Sequence, residues 1–196
     1  MKFKLSIVMK RFLLIVFVIL INQGCWPVAL VVGGAVGTVV HDNRSTRTIV
    51  EDRDIVFRIQ SKFNSDEELS KDSHLCITSF NYIVLLVGQV PNEELRKHAE
   101  DLAKSDSRVR LVYNEISVGK PLGDLAKAND TWITAKTKTV LVSTSGLRST
   151  SMKIVTEDGV IYLMGLTTKS QGNLAAKKAR TVAGGRKIVK LFEYMN

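Results

Sequence analysis

The residues of this chain that could do chemistry are few and poorly grouped for catalysis. His41, His74 and His98 are scattered, with no Cys or His at metal-ligand spacing around them, so a zinc site is not expected. Asp66, Glu67 and Glu68 stand side by side in polar text and read as a solvated turn, not as a catalytic pair. Gly33-Gly34-Ala35-Val36-Gly37 has the glycine density of a phosphate loop, but it lacks the preceding strand and following helix that such a loop needs. No Gly-x-Ser-x-Gly elbow occurs. The expectation is a non-enzyme with no catalytic residue, cofactor or metal. Two thiols are left. Cys76, between Leu75 and Ile77, reads as a small buried apolar residue of a strand, with no disulfide partner in the chain. Cys25 is placed differently, and its surroundings give it a specific chemistry.

Lys2, Lys4, Lys10 and Arg11 precede an unbroken apolar run from Phe12 to Ile21, with no acid among them. This is the pattern of an export signal. The run is shorter than the roughly 20 apolar residues a bilayer span needs. Met9, followed by Lys10 and Arg11, offers a second start. Asn22, Gln23 and Gly24 then lead into Cys25. A small residue before a Cys at the end of a signal core is similar to the bacterial lipobox, although Asn22 stands where Leu is usual. The resemblance implies cleavage after residue 24 and a thioether from Cys25 to diacylglycerol, with an acyl group such as palmitate on the new amino terminus. An uncleaved anchor through Val28–Val32 and Val36–Val40 is the alternative, but small residues interrupt it. Each buried methylene contributes about 0.8 kcal/mol, so several acyl chains hold a protein on a membrane durably. Trp26, not Asp, follows the Cys, which by the familiar sorting rule implies the outer membrane.

What remains can bury one domain or two small ones. Residues 25–53 read as the lipidated terminus and a tether, polar from His41 onward and without a periodic face. Beyond them one order of elements occurs twice. Ile55, Ile59 and Phe63 give a helix stripe. Strands follow at Leu75–Thr78 and Ile83–Val87, then a second helix on Leu95, Ala99, Leu102 and Ala103, and a last strand over Leu111–Val118. The second copy has Ile133, Thr137 and Leu141, then Met152–Thr156, a hairpin signal at Asp158-Gly159 and Val160–Met164. Leu174, Ala175 and Ala179 mark its second helix, and Ile188–Met195 its last strand. Gly165 falls where Gly88 fell. The expected fold is α+β: two αββαβ units at 54–118 and 129–196, with 119–128 as linker.

Charge divides along the same line. Residues 129–196 carry eleven Lys and Arg against four acids, whereas 54–118 carry eight against eleven. Only the second unit would be drawn to an anionic surface. Its first helix, read from Thr131 to about Ser143, sets Trp132, Ala135, Lys136, Thr139 and Val142 on a face beside the core stripe. Trp favours the headgroup level of a bilayer. The competing reading folds Trp132 under the domain as core. Although the pI is about 9.6, four of the basic residues leave with the signal, and export removes access to cytoplasmic nucleic acid.

The paired αββαβ units behind a lipobox resemble the dual BON-domain lipoproteins. The likeness rests on Val84-Leu85-Leu86-Val87-Gly88-Gln89, Tyr113-Asn114-Glu115-Ile116, Asn129-Asp130-Thr131-Trp132-Ile133-Thr134, Tyr162-Leu163-Met164-Gly165 and, in the tether, Asp42-Asn43-Arg44-Ser45. Arg47 stands where the family's tether has Gly. The resemblance implies a periplasmic protein held on the inner leaflet of the outer membrane by lipidated Cys25. It further implies binding of anionic phospholipids such as phosphatidylglycerol and cardiolipin through the second BON domain, in support of envelope integrity. The alternative is a periplasmic interaction module that docks an envelope assembly or cell-wall factor through a sheet edge.

Overall fold

The computed structural model describes residues 44–182 and 184–195. The expected signal at 1–24, Cys25, the glycine-rich stretch and His41 lie outside the described residues.

Helix α1, Thr46–Ser65, begins where the Ser45 hydroxyl accepts from the Thr48 amide at 3.1 Å. It buries Ile55, Ile59 and Phe63, the expected stripe, and adds Asp52 one turn earlier. The residues read as the end of the tether are therefore helical from Thr46. They lack an apolar face, but Arg47 pairs with Glu51 at 2.9 Å along the helix, and Arg44 reaches Asp52 at 2.7 Å. A short α2 (Glu67–Ser70) precedes β1 (His74–Phe80) and β2 (Ile83–Val90), an antiparallel hairpin. Helix α3 (Glu93–Lys104), capped by Asn92, returns the chain so that β3 (Leu111–Val118) lies parallel to β2.

The second unit repeats this. Helix α4 (Asp124–Val142) is followed by a 3-10 turn (Ser149–Ser151), the hairpin β4 (Met152–Glu157) and β5 (Val160–Thr167), α5 (Lys169–Ala179) and β6 (Lys187–Tyr194). Sheet order is β1-β2-β3 and β4-β5-β6, with the outer strand of each hairpin antiparallel and the last strand parallel. α4 starts inside the expected linker, ahead of Thr131.

Two cores lie under helices. Ile55, Ile59, Phe63 and Ala99 meet Val84 and Leu86, and Ile133, Leu141 and Ala175 meet Ile161 and Leu163. A third core joins the sheets to each other: Phe80, Ile83, Leu85 and Val87 pack with Tyr162, Met164 and Leu191. Successive strand residues face opposite ways, so β2 gives alternate side chains to its helices and to the other sheet. All eight of its residues are buried. The order of layers is helices, sheet, sheet, helices.

Each hairpin turns through two residues in the left-handed region: Asn81 and Tyr82 at φ 53° and 64°, Asp158 and Gly159 at 48° and 70°. These are the turns whose twist suits a two-residue hairpin, and they are unfavourable for a residue such as Tyr. In both units a buried aspartate from the first helix holds the turn. Asp52 accepts from the amides of Asn81 and Tyr82 at 2.8 and 2.9 Å and from the Ser79 hydroxyl at 2.6 Å. Asp130 accepts from the amides of Asp158 and Gly159 at 2.7 and 2.8 Å. Asp130→Ala leaves those amides without their acceptor. It should cost about 2–4 kcal/mol and lower the melting temperature by roughly 5–15 °C, with Asp130→Asn losing less. Thermal denaturation followed by circular dichroism reads both.

Asp66 caps α2 through the Leu69 amide at 2.9 Å and contacts His98 Nε2 at 2.7 Å. The His98 contact first, then the Leu69 amide, holds its carboxyl below the usual carboxylate range. A carboxyl whose pKa is lowered by folding stabilises the fold above its unfolded value, and that contribution disappears as pH falls through the lowered one. The stability gap between the parent and Asp66→Asn should thus be full at pH 5–7 and close below about pH 4, which melting curves across that range will show.

Candidate functional site

Helix α4 presents two faces. Asp130, Ile133, Thr137 and Leu141 are buried against the second sheet. Trp132, Ala135, Lys136, Thr139 and Val142 are all exposed on the side away from it. Trp132 is 49% and Val142 65% exposed, so the reading of Trp132 as core does not hold. The Lys136 ammonium sits 4.5 Å from the centre of the Trp132 ring, a cation–π contact that places positive charge beside the indole.

Leu125, at 89% exposure, continues this stripe. It lies seven residues before Trp132, two turns of helix, and therefore on the same side. Sequence reasoning missed it because it falls in the expected linker, where Pro121 and Gly123 pointed away from helix. Its spacing to Trp132 was the available signal.

The electrostatics of the second unit are more one-sided than its charge count. Each of the four acids at residues 129–196 has a fixed partner, while Asp124, in the first turn of α4, is exposed. Asp130 holds the turn, Asp158 pairs with Arg186, Glu157 accepts from Gln89 and Glu193 pairs with Arg110. All of its Lys and Arg are exposed except Lys153. Lys153 lies at the inter-sheet contact, its Nζ 3.4 Å from the Ser79 carbonyl, and burial first, then the nearby Arg44, pushes its pKa down.

The contact between units brings together groups that are far apart in sequence. Asn81 and Arg110 both donate to Glu193. Tyr162, in the central core, has its phenol pushed up to about 12, chiefly by burial and then by Glu115, Glu157 and Asp158. His74, Cys76 and Glu157 converge, their ligand atoms all within 4.8 Å of one another. No local spacing announces this cluster, since its third member comes from the other repeat. Cys76 is half-buried, not enclosed, and packs at the edge of the central core. Among the described residues no helix is long and apolar enough to cross a membrane.

Residues 51–120 and 129–196 each match the model of the BON domain family. The chain belongs to the BON-domain family. The first BON match opens within α1, and the second covers α4 from Asn129, leaving the Leu125 turn ahead of it. Among curated relatives, the chain is 31% identical over 189 residues to the outer membrane lipoprotein DolP of Haemophilus influenzae, covering 96% of this chain and 97% of that one. It is 32% identical over 154 residues to a 21 kDa hemolysin of Actinobacillus pleuropneumoniae, covering 79% of each. Among solved structures, the C-terminal domain of CdsD, a structural protein of the type III secretion system of Chlamydia trachomatis, overlaps 74% of this chain and 67% of its own at 13% identity and a TM-score of 0.30. That likeness is too loose to build on.

Proposed function

We propose that this chain is an outer-membrane lipoprotein facing the periplasm, anchored through lipidated Cys25, whose second BON domain binds anionic phospholipid along the exposed stripe of α4 and thereby supports envelope integrity. It acts by binding, not catalysis. The observation that carries the reading is the stripe itself: Leu125, Trp132 and Val142 are exposed together with Lys136 among them, on a helix whose domain pairs every acid from residue 129 onward. Apolar groups that enter the headgroup region, flanked by cations that meet lipid phosphates, are what binding to an anionic surface requires. The likeness to an outer membrane lipoprotein over nearly the whole chain supports the location.

The direct test is sedimentation with liposomes of residues 39–196, a compact unit that keeps Arg44 and the Ser45 cap. Binding to vesicles containing phosphatidylglycerol or cardiolipin, weaker with added salt, and none to purely zwitterionic vesicles is the expected result. Equal binding to both would remove the anionic preference, and binding to neither would remove α4 from membrane recognition. One observation favours a second reading: Val50 and Phe57 are exposed on α1, seven residues apart, with Phe57 at 73%. That face of the first BON domain would suit an envelope protein partner better than the sheet edge expected from sequence.

A further inference from the structure

His74 and Cys76 are two residues apart on β1, so both side chains leave the same face of the first sheet. That is the face that packs on the second sheet, where Cys76 borders the central core. Glu157 arrives from the other domain, at the end of β4. Cys76 Sγ is 3.9 Å from His74 Nε2, and all three residues can bring a ligand atom within 4.8 Å of the others. The carboxylate is aimed by a buried amide. Gln89, directly opposite His74 in the β1–β2 register, donates from Nε2 to Glu157 Oε1 at 2.7 Å, while its own Oε1 accepts from the Leu122 amide at 3.1 Å. An outer residue of this kind, itself held by backbone, is how ligands of metal sites are oriented.

We infer that His74, Cys76 and Glu157 form a zinc-type divalent-metal site that clips the two domains together, with water as the fourth ligand. The donor set selects the metal: thiolate and imidazole suit zinc and disfavour magnesium or calcium, which take oxygen. Zinc bonds of about 2.0–2.3 Å in tetrahedral geometry place ligand atoms roughly 3.3–3.8 Å apart, so the observed spacing closes by modest side-chain rotation. On coordination the Cys76 thiol loses its proton to solvent as the sulfur–metal bond forms. Two ligands come from one domain and one from the other, so the full set exists only while the sheets are docked, and metal must stabilise the docked state.

The test uses the mature chain in detergent, stripped with a chelator and then titrated with Co2+ or Zn2+. Cobalt should produce a thiolate-to-metal charge-transfer absorption, and zinc at about a hundred times its Kd should raise the melting temperature by roughly 5–10 °C. Cys76→Ser, His74→Ala and Glu157→Gln should each abolish the zinc shift, read against the same variant in chelator so that altered folding is cancelled. Gln89→Met should weaken affinity by about 10–100-fold without removing the absorption. Absence of the band and the shift in the parent chain overturns the site, as does a band that survives Cys76→Ser. A zinc shift unchanged by Glu157→Gln overturns the inter-domain clip.

Discussion

Gly88→Ala should be the most destructive single methyl group in the described fold. Gly88 lies in β2 at φ +123°, a conformation side chains rarely adopt, and a Cβ there would stand 1.9 Å from the His74 carbonyl oxygen of the neighbouring strand. Backbone strain and a main-chain clash act at one position, and β2 is covered on both faces, so neither can be relieved by moving outward. A loss of about 4 kcal/mol or more is expected, a large fraction of the roughly 5–15 kcal/mol that stabilises a typical domain. Gly165, its counterpart in the second repeat, is the internal comparison. Its added Cβ would meet the Ser151 carbonyl at 2.7 Å without a positive φ, so Gly165→Ala should cost roughly 1–3 kcal/mol. Urea denaturation followed by circular dichroism measures both. Because the central core draws on both sheets, Gly88→Ala should also lower the unfolding midpoint seen at Trp132 in the second domain. Equal costs at the two glycines would contradict the account.

The glycine pair was legible in the sequence, as were the repeat and the helix stripes, because inward-facing side chains recur with the period of the element that carries them. Ile55, Ile59 and Phe63 behave as their spacing demanded, as do Ile133, Thr137 and Leu141. What periodicity does not show follows from the same logic. The first turns of α1 and α4 send few apolar residues inward, so periodicity was silent there. Their starts depend on the Ser45 cap and on ion pairs in one case, and simply on continuation from Gly123 in the other. The face-to-face packing of the sheets has its signal in β2. Ile83-Val84-Leu85-Leu86-Val87 is an uninterrupted apolar run where a sheet with one wet face would alternate, and such a run announces a strand covered on both sides. The aspartates that hold the hairpins, and the meeting of His74 and Cys76 with Glu157, depend on long-range placement and leave no local periodic trace.

Trp132→Glu together with Leu125→Glu should abolish binding to anionic liposomes while leaving the fold intact. Burying an exposed large apolar side chain contributes about 1.5–3 kcal/mol, so losing the indole alone should weaken affinity at least about tenfold, and losing both at least about a hundredfold. The introduced carboxylates add repulsion from the same headgroups that attract the surrounding cations. The fold should survive because neither side chain belongs to a core: the inner face of α4 remains Ile133, Thr137 and Leu141, and the melting temperature should move by no more than a surface change allows. Lys136→Glu isolates the electrostatic part. It removes the cation over the indole and one basic group, and should weaken binding less than the double change while flattening its salt dependence. Phe57→Glu, on the other domain, supplies the contrast. If lipid is read only by α4, that variant sediments with vesicles as the parent does. If Phe57→Glu loses binding while the α4 double variant keeps it, the membrane contact belongs to the first BON domain, and the stripe on α4 becomes the candidate surface for a protein partner.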